Sequence, residues 1–220
     1  MRTAPRTSAT TRRWTRPPAV LGAALVLAGS GTLGLSALQQ HEGGFFTSSA
    51  ATLATGTSAL VTDEVAVEQG RPGNPSTDLG DLARVRIRAG ATDAAPVFLG
   101  IGRTADVDAY LRGVAHDRMV GFALSPFSVR FDSTPGSAAL APGAQTFWVA
   151  RATGLGMRSL LWDKEPGAWS AVAMNADGSP GVAVRADVGL RFAFLLPAGA
   201  ALLTAGALLL SRVRSRRRPA

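Results

Sequence analysis

Residues 160–181, LLWDKEPGAWSAVAMNADGSPG, carry the clearest structural pattern in this 220-residue chain. Apolar residues alternate with polar or small ones on both sides of Glu-Pro-Gly, and a second turn pattern follows at Asn-Ala-Asp-Gly. Alternation with a period of two, broken by Gly, Pro, Asn and Asp, is typical of strands joined by tight turns. The stretch therefore predicts three strands and two turns. Trp162 and Trp169 are expected to face each other across the first turn, with Trp148 in the same core.

The same alternation recurs on the N-terminal side of this stretch. Residues 83–89 and 96–102 are expected to pair as a hairpin, because a Gly-Ala-Thr-Asp turn pattern lies between them. The sequence as a whole predicts a mainly β domain, an antiparallel β-sandwich of jelly-roll-like arrangement. The predicted strands cover residues 60–68, 83–89, 96–102, 127–131, 146–153, 158–162, 168–174 and 182–187.

One short helix interrupts the strands. Thr104 is a suitable N-cap, because its side-chain oxygen can accept a hydrogen bond from a free backbone N–H. Val107, Tyr110, Leu111 and Val114 follow at the spacing of one helical face. The pattern predicts a helix from Thr104 to about residue 113 or 116 that packs across one end of the sandwich.

Charge is divided unevenly along the chain. The 23 Lys and Arg exceed the 15 Asp and Glu, which gives a net charge of +8. Five arginines lie within residues 1–18 and five within residues 212–220, whereas every acidic residue lies between these tails. Without the ten terminal arginines the net charge is −2. The basic character therefore belongs to two tails, and nucleic acid is not an expected partner.

Beside each basic tail lies an apolar run of twenty residues without a charge, at 19–38 and at 192–211. A helix of that length is about 30 Å long, the thickness of the hydrocarbon core of a bilayer. Because arginine clusters stay on the cytoplasmic side, both termini are expected in the cytoplasm. The prediction is a two-pass plasma-membrane protein with its central domain outside the membrane.

The first apolar run has two interpretations. A basic start followed by an apolar stretch describes a secretory signal peptide, but this run is longer than the usual apolar region of about 7–15 residues. An uncleaved signal anchor is therefore favoured, and cleavage stays open. The predicted organisation lists a disordered basic tail (1–18), a first membrane helix (19–38), a linker with the start of the exported domain (39–58), the β domain (59–189), a second membrane helix (190–211) and a basic tail (212–220).

Candidate chemistry is sparse, since the chain has no Cys and two His. Asn175, Asp177 and Ser179 alternate like calcium ligands, yet the preceding acidic residue and the distal Glu are missing, so a hairpin turn is favoured. His116 and Asp117 resemble a base with its carboxylate, but a solvated helix C-terminus is favoured. No Gly-x-Ser-x-Gly nucleophile elbow is present.

Four other groups have a structural interpretation. His41-Glu42 lacks the second His of a zinc-binding helix and is expected in solvent. Asp106 and Asp108 point in different directions on a helix, so they form no acid–base pair. Gly100-Ile-Gly102 lacks the remaining residues of a phosphate loop. Arg84, Arg86 and Arg88 share one strand face, which is read as a solvated outer face with edge protection in preference to an anion site.

Small residues four apart permit close contact between membrane helices. Ser30 and Gly34 have this spacing in the first apolar run, and Ala201 and Ala205 have it in the second. These pairs predict packing of the two spans on each other or on another protein.

The motifs also have a joint resemblance. GIG at residues 100–102 is followed by DVDAYL, then by FW, and then by WD, GAWS and MNADG. This set resembles a family of actinobacterial membrane proteins with two flanking transmembrane helices and an exported β-rich domain. The resemblance covers roughly residues 44–212. It implies a topology and a fold, and it supplies no catalytic residues.

These observations lead to one functional hypothesis and one alternative. The hypothesis is a non-catalytic binding or envelope-associated structural role, with no catalytic, cofactor-binding or metal-ligating residues. The expected partners are the lipid bilayer and a membrane or envelope protein. The alternative is a membrane-tethered extracytoplasmic hydrolase, which would use Asp or Glu carboxylates in a cleft.

Overall fold

A computed structural model describes residues 17–41, 43–67, 83–124 and 127–215. The chain divides into two compact units. One contains two apolar helices, α1 (Pro17–His41) and α3 (Leu195–Ser215), and the other is a β domain over Gln39–Ala193. The remaining parts of the predicted basic tails lie outside the described residues.

The β domain contains two sheets, which together include twelve strands within the described ranges. The first sheet has the order β1-β12-β5-β10, and β2 also pairs with β12. Its strands are β1 (Phe46–Thr47), β2 (Ala51–Ala54), β5 (Ala83–Ala91), β10 (Arg158–Asp163) and β12 (Ala183–Phe192).

The second sheet has the order β8-β7-β3-β11-β6-β9, and β4 also pairs with β11. Its strands are β3 (Ala59–Thr62), β4 (Val65–Val67), β6 (Val97–Arg103), β7 (His116–Leu124), β8 (Phe127–Thr134), β9 (Ala150–Gly154) and β11 (Gly167–Asn175).

Apolar side chains on the facing sides of the two sheets form the main core. Val85 and Leu160 of the first sheet pack in one cluster with Leu99, Ile101 and Trp169 of the second sheet. Such burial of one face of each sheet is what alternating strands require. The prediction of a mainly β domain is confirmed. The jelly-roll-like arrangement stays a prediction.

A second core lies on the opposite side of the second sheet. The helix α2 (Thr104–Tyr110) contributes Val107, and Phe98 and Trp148 belong to the same cluster. Trp148 is buried as expected, but in this second core. Trp162 and Trp169 do contact each other in the main core, with ring centroids 5.5 Å apart. They lie in different sheets, because the chain changes sheet at the Glu-Pro-Gly turn.

Several strand predictions need correction. The hairpin of residues 83–89 with 96–102 is wrong, because β5 pairs with β10 and β12 whereas β6 pairs with β9 and β11. Alternation predicts which residues of a strand face the core, but it does not predict which sheet the strand joins. The pair β3–β7 is parallel, so the second sheet is mixed. Two strands, β1 and β2, lie within residues 39–58, which were predicted as a linker with the start of the exported domain.

The start of α2 also differs from its prediction. Thr104 is the first helical residue, and no side chain caps the helix. The Thr104 hydroxyl is instead buried within 3.1 Å of the Ser170 hydroxyl on β11. The Thr104 hydroxyl therefore bonds to the sheet and does not cap the helix as the local pattern predicts. The apolar face is confirmed, since Val107 and Leu111 are fully buried.

The boundary between the β domain and α3 lies later than expected. Residues 190–192 were assigned to the second membrane helix, but β12 continues through Phe192 because its backbone pairs with Ala83 of β5. The helix begins at Leu195 and ends at Ser215, so it includes part of the predicted basic tail. Both α1 and α3 are long and apolar enough to span a membrane, by length and composition.

The two ends of the β domain lie side by side. The Phe192 N–H donates a hydrogen bond of 2.9 Å to Oε1 of Gln39. Beyond it, β1 pairs with β12 through Phe46 and Leu190. The chain therefore enters and leaves the first sheet at the same place.

Candidate functional site

An apolar cavity lies between the two sheets and is the main candidate site of the β domain. Its volume is about 130 Å³. Strands of both sheets supply its walls, which comprise Leu53, Leu60, Val61, Thr62, Ile87, Ala89, Leu99, Gly100, Met119, Phe131, Leu160, Ala171, Val172, Ala173, Val184, Ala186 and Val188.

The cavity exists because small side chains face each other across the sandwich. Ala89 and Ala186 lie on the inner face of the first sheet, and Ala171 and Ala173 lie on the inner face of the second. Facing sheets pack about 10 Å apart, a distance that larger side chains normally fill. Methyl groups on both walls leave part of this space unfilled.

The cavity is partly open to solvent. The walls include Val188, which is 44% exposed, and Ile87 and Phe131, which are half-buried although they point inward. Thr62 provides the one hydroxyl of the lining, and this oxygen accepts a hydrogen bond of 2.9 Å from the Ala171 N–H. The cavity therefore offers its contents an apolar surface.

The arginine row of β5 lies on the outer face of the first sheet, as predicted. Its residues are paired: Arg84 contacts Asp163, and Arg88 forms a bidentate contact of about 2.9 Å with Asp187. Hydrogen bonding to these carboxylates raises the pKa of both guanidinium groups. The edge-protection interpretation is wrong, because β5 lies between β12 and β10.

The middle arginine of the row has a different environment. The Arg86 guanidinium donates to the Thr47 hydroxyl at 2.9 Å and lies 4.2 Å from the centre of the Phe45 ring. A cation over an aromatic face is stabilised by the ring quadrupole. The three arginines therefore contact residues of the segments beside β5, and their guanidinium groups have partners within the domain.

His116 and Asp117 do not lie at a helix C-terminus. They begin β7, where Asp117 is buried and its Oδ1 has no hydrogen-bond partner among the described residues. Asp117 is in register with Leu60 of β3, whose side chain belongs to the main core. His116 is half-buried, with Nδ1 2.9 Å from the Val114 carbonyl. The two side chains alternate along the strand and do not form a catalytic pair.

The Asn-Ala-Asp-Gly segment forms the turn that the sequence favoured. Oδ1 of Asp177 accepts hydrogen bonds from the Ser179 backbone N–H at 3.0 Å and from the Ser179 hydroxyl at 2.7 Å. These bonds hold the pKa of Asp177 below its usual range. Asn175 donates to the Ser179 carbonyl at 3.1 Å, and Gly178 has a positive φ of 81°.

The other candidates have structural partners. Asp108 contacts Arg118 of β7. Gly100 lies inside β6, and a Cβ there would be 2.6 Å from the Trp148 ring, so this glycine permits close packing. His41 is in the last turn of α1, and Glu42 lies outside the described residues. No cluster of three or more His, Cys, Asp or Glu suitable for a metal ion occurs in the part of the chain that the structure describes.

The two apolar helices pack on each other through glycines. A Cβ on Gly206 would lie 2.8 Å from the Gly22 carbonyl oxygen, and a Cβ on Gly29 would lie 2.9 Å from that of Gly199. The order of the contacts is reversed between the two helices, since Gly22 meets Gly206 and Gly29 meets Gly199, so the helices are antiparallel. In each helix the glycines are seven residues apart, which is about two turns and keeps them on one line.

The small-residue pairs predicted for this contact are different ones. Ser30, Gly34, Ala201 and Ala205 are all exposed, and a Cβ on Gly34 would meet nothing within 4 Å. The prediction that these pairs form the contact between the two helices is wrong, and their packing on another protein stays a prediction. A spacing of four suits steeply crossed helices, whereas a spacing of seven suits nearly aligned ones.

Tyr110 gives the second core a direct spectroscopic test. Burial raises the pKa of this phenol to about 12, and its hydroxyl donates to the Leu140 carbonyl. Tyr110 is the only tyrosine of the chain. We expect the tyrosinate absorbance of the native protein to titrate with a midpoint near 12, and that of the denatured protein near the ordinary value of about 10.

The raised pKa of Tyr110 makes the stability of the fold depend on pH. The folded-state pKa lies above the unfolded one, so the neutral phenol stabilises the fold below about pH 10, and this contribution is lost as the pH rises toward 12. A native midpoint near 10 would show that the hydroxyl is solvated and would contradict the packing of α2 described above.

No protein-family model matches the chain, and no curated protein matches it either.

Proposed function

We propose that this protein is a two-pass plasma-membrane protein whose β domain is displayed outside the membrane and has a non-catalytic binding or envelope-associated structural role. The observation that carries the proposal is the antiparallel packing of two apolar helices through Gly22, Gly29, Gly199 and Gly206. Helices that fit each other this closely form a stable pair in lipid, where packing and not the hydrophobic effect drives association.

The charges support the orientation. Arg212 and Arg214 lie in the last turn of α3, and five arginines precede α1. In an antiparallel pair these two basic ends come to the same side, which the positive-inside rule assigns to the cytoplasm. The contacts of Gly22 and Gly29 with α3 also favour retention of α1 as a signal anchor, because cleavage would remove half of the packed pair.

The β domain supports binding over catalysis. Retaining and inverting glycoside hydrolases need two carboxyl groups about 5–10 Å apart at a cleft. Asp163, Asp187 and Asp108 are instead paired with arginines, and the lining of the inter-sheet cavity contains no carboxylate. The cavity and the outer surface of the sandwich are therefore the parts of the domain offered to a ligand or to an envelope partner.

Topology can be tested with single cysteines, since the chain has none of its own. Ala138 is exposed in the β domain, Arg214 is exposed at the end of α3, and Leu27 is 73% exposed in the middle of α1. We expect a membrane-impermeant maleimide to label Ala138→Cys in intact cells and Arg214→Cys only after permeabilisation.

The Leu27→Cys variant is the matched control for membrane insertion. Its thiol should resist the aqueous reagent before and after permeabilisation and react once detergent removes the bilayer. Labelling of Arg214→Cys in intact cells, or of Leu27→Cys in intact membranes, would contradict the proposed topology.

A further inference from the structure

We infer that the inter-sheet cavity is a binding site for a single hydrocarbon chain, such as the chain of a fatty acid or one acyl chain of a membrane lipid. The inference rests on the binding role proposed above and assigns its ligand class. Its basis is the chemistry of the walls, the size of the space and the access to it.

The walls specify an apolar ligand. Every lining side chain is a hydrocarbon or a thioether apart from Thr62, and the Thr62 hydroxyl is already bonded to the Ala171 N–H. A polar group placed here would lose its hydration and could bond only to the Thr62 hydroxyl, which is unfavourable. A chain of methylene groups loses no hydrogen bond on entering and leaves water for an apolar surface.

The size fits a chain segment and not a large ring system. A volume of about 130 Å³ is close to that of an engineered protein cavity of about 150 Å³ that stays dry and takes up benzene. The cavity can therefore hold several methylene groups, with the rest of the chain leaving between the sheets. Val188, the one exposed residue among the cavity walls, marks this exit.

The chain itself brings the site to a source of such ligands. Val188 precedes Leu195, the first residue of α3, by seven residues. Seven extended residues span at most about 25 Å. The chain therefore tethers Val188 within about 25 Å of the first turn of α3, which the proposal places in the membrane. Fatty acids and lipid chains are concentrated at the bilayer. A site tethered to a membrane helix therefore meets hydrocarbon chains at a high local concentration.

The test uses the full-length protein in phosphatidylcholine vesicles and two photoreactive probes. One is a fatty acid with a diazirine at the end of its chain, and the other is a phosphatidylcholine carrying the same chain. After illumination, adducts are mapped by peptide mass spectrometry. We expect the fatty-acid probe to label peptides with the wall residues Met119, Phe131 or Val188, and an excess of unlabelled fatty acid to suppress these adducts.

Two variants fill the cavity from opposite walls. Ala173→Leu on β11 and Ala186→Leu on β12 are each expected to lower domain adducts about tenfold, the factor that corresponds to losing contact with roughly two methylene groups. Ala66→Leu on the exposed face of β4 is the matched control and should leave labelling unchanged. Unlabelled fatty acid should also raise the thermal unfolding midpoint of the wild-type protein and not that of the filled variants.

Each outcome has a separate meaning. Domain adducts with both probes would identify a bilayer lipid as a source, and adducts with the fatty acid alone would identify a free chain. Absence of domain adducts while the lipid probe labels α1 and α3 would overturn the inference and leave the membrane anchoring intact. Absence of labelling in α1 and α3 would overturn the anchoring, and the fatty-acid arm would still decide the cavity. Adducts that persist in both filled variants would overturn the assignment of the chain to this cavity.

Discussion

Replacement of Trp169 by alanine is expected to lower the free energy of unfolding by about 3–5 kcal/mol, the range measured for large aromatic truncations in protein cores. Trp169 is 1% exposed and contacts the Trp162 ring, and the Arg103 guanidinium lies 4.9 Å from its ring centre. Its indole N–H donates a hydrogen bond of 2.7 Å to the Glu165 carbonyl. The truncation therefore opens a space between the two sheets and removes a bond that holds the intervening turn.

Denaturant unfolding followed by circular dichroism measures this loss without depending on tryptophan fluorescence. Leu161→Ala is the control, because Leu161 lies on β10 next to Trp162 and is 53% exposed, so its truncation should change stability by less than about 0.5 kcal/mol. A loss below about 1 kcal/mol for Trp169→Ala would mean that the two sheets are held together elsewhere.

Alanine at Gly29 is expected to force the two apolar helices apart. The added Cβ would lie 2.8 Å from the backbone nitrogen of Leu203 and 2.9 Å from the carbonyl oxygen of Gly199. Backbone atoms cannot rotate away as a side chain can, so relief requires movement of a whole helix. Overpacking of this kind costs about 1–3 kcal/mol. Spin labels on Leu21→Cys and Leu208→Cys, both exposed, should report a longer and broader distance distribution by electron spin resonance.

Gly31→Ala in the same helix is a matched control. A Cβ at this position would meet nothing within 4 Å, so the distance between the labels should stay unchanged. Alanine is also a better helix former than glycine, by up to about 1 kcal/mol. Equal distance changes in the Gly29 and Gly31 variants would contradict the packing through glycines.

Local patterns predicted the strands of this protein better than their partners. Strict alternation in residues 83–89 identified β5, because one face of that strand is buried and the other is charged. The same pattern could not tell that the next strand joins the other sheet, since both sheets bury an inner face in the same core. The partner of a strand depends on the path of the whole chain.

Two elements left little trace in the sequence. The strand β7 begins His-Asp-Arg-Met. Its buried Asp117 stands where an apolar residue would normally complete the alternating pattern, so the pattern was not recognised. The helix contact was missed because it uses glycines seven residues apart, whereas the predicted pairs are four residues apart. A heptad reading of Gly22 and Gly29 would have found it.

The inter-sheet cavity could not be predicted at all. Ala89, Ala171, Ala173 and Ala186 are ordinary strand residues in the sequence, and they lie on three different strands. They become walls of one space only after the two sheets face each other. Volumes between sheets are properties of the assembled fold, so a binding site made of small side chains has no local signature.

The hydrogen bond between Phe192 and Gln39 has a consequence for modularity. The β domain begins and ends at one point of the first sheet. It therefore has the form of an insertion between α1 and α3. Such an insertion can be gained, lost or exchanged in a single event, because its two ends lie close together. The helical pair and the β domain can thus evolve as separate parts.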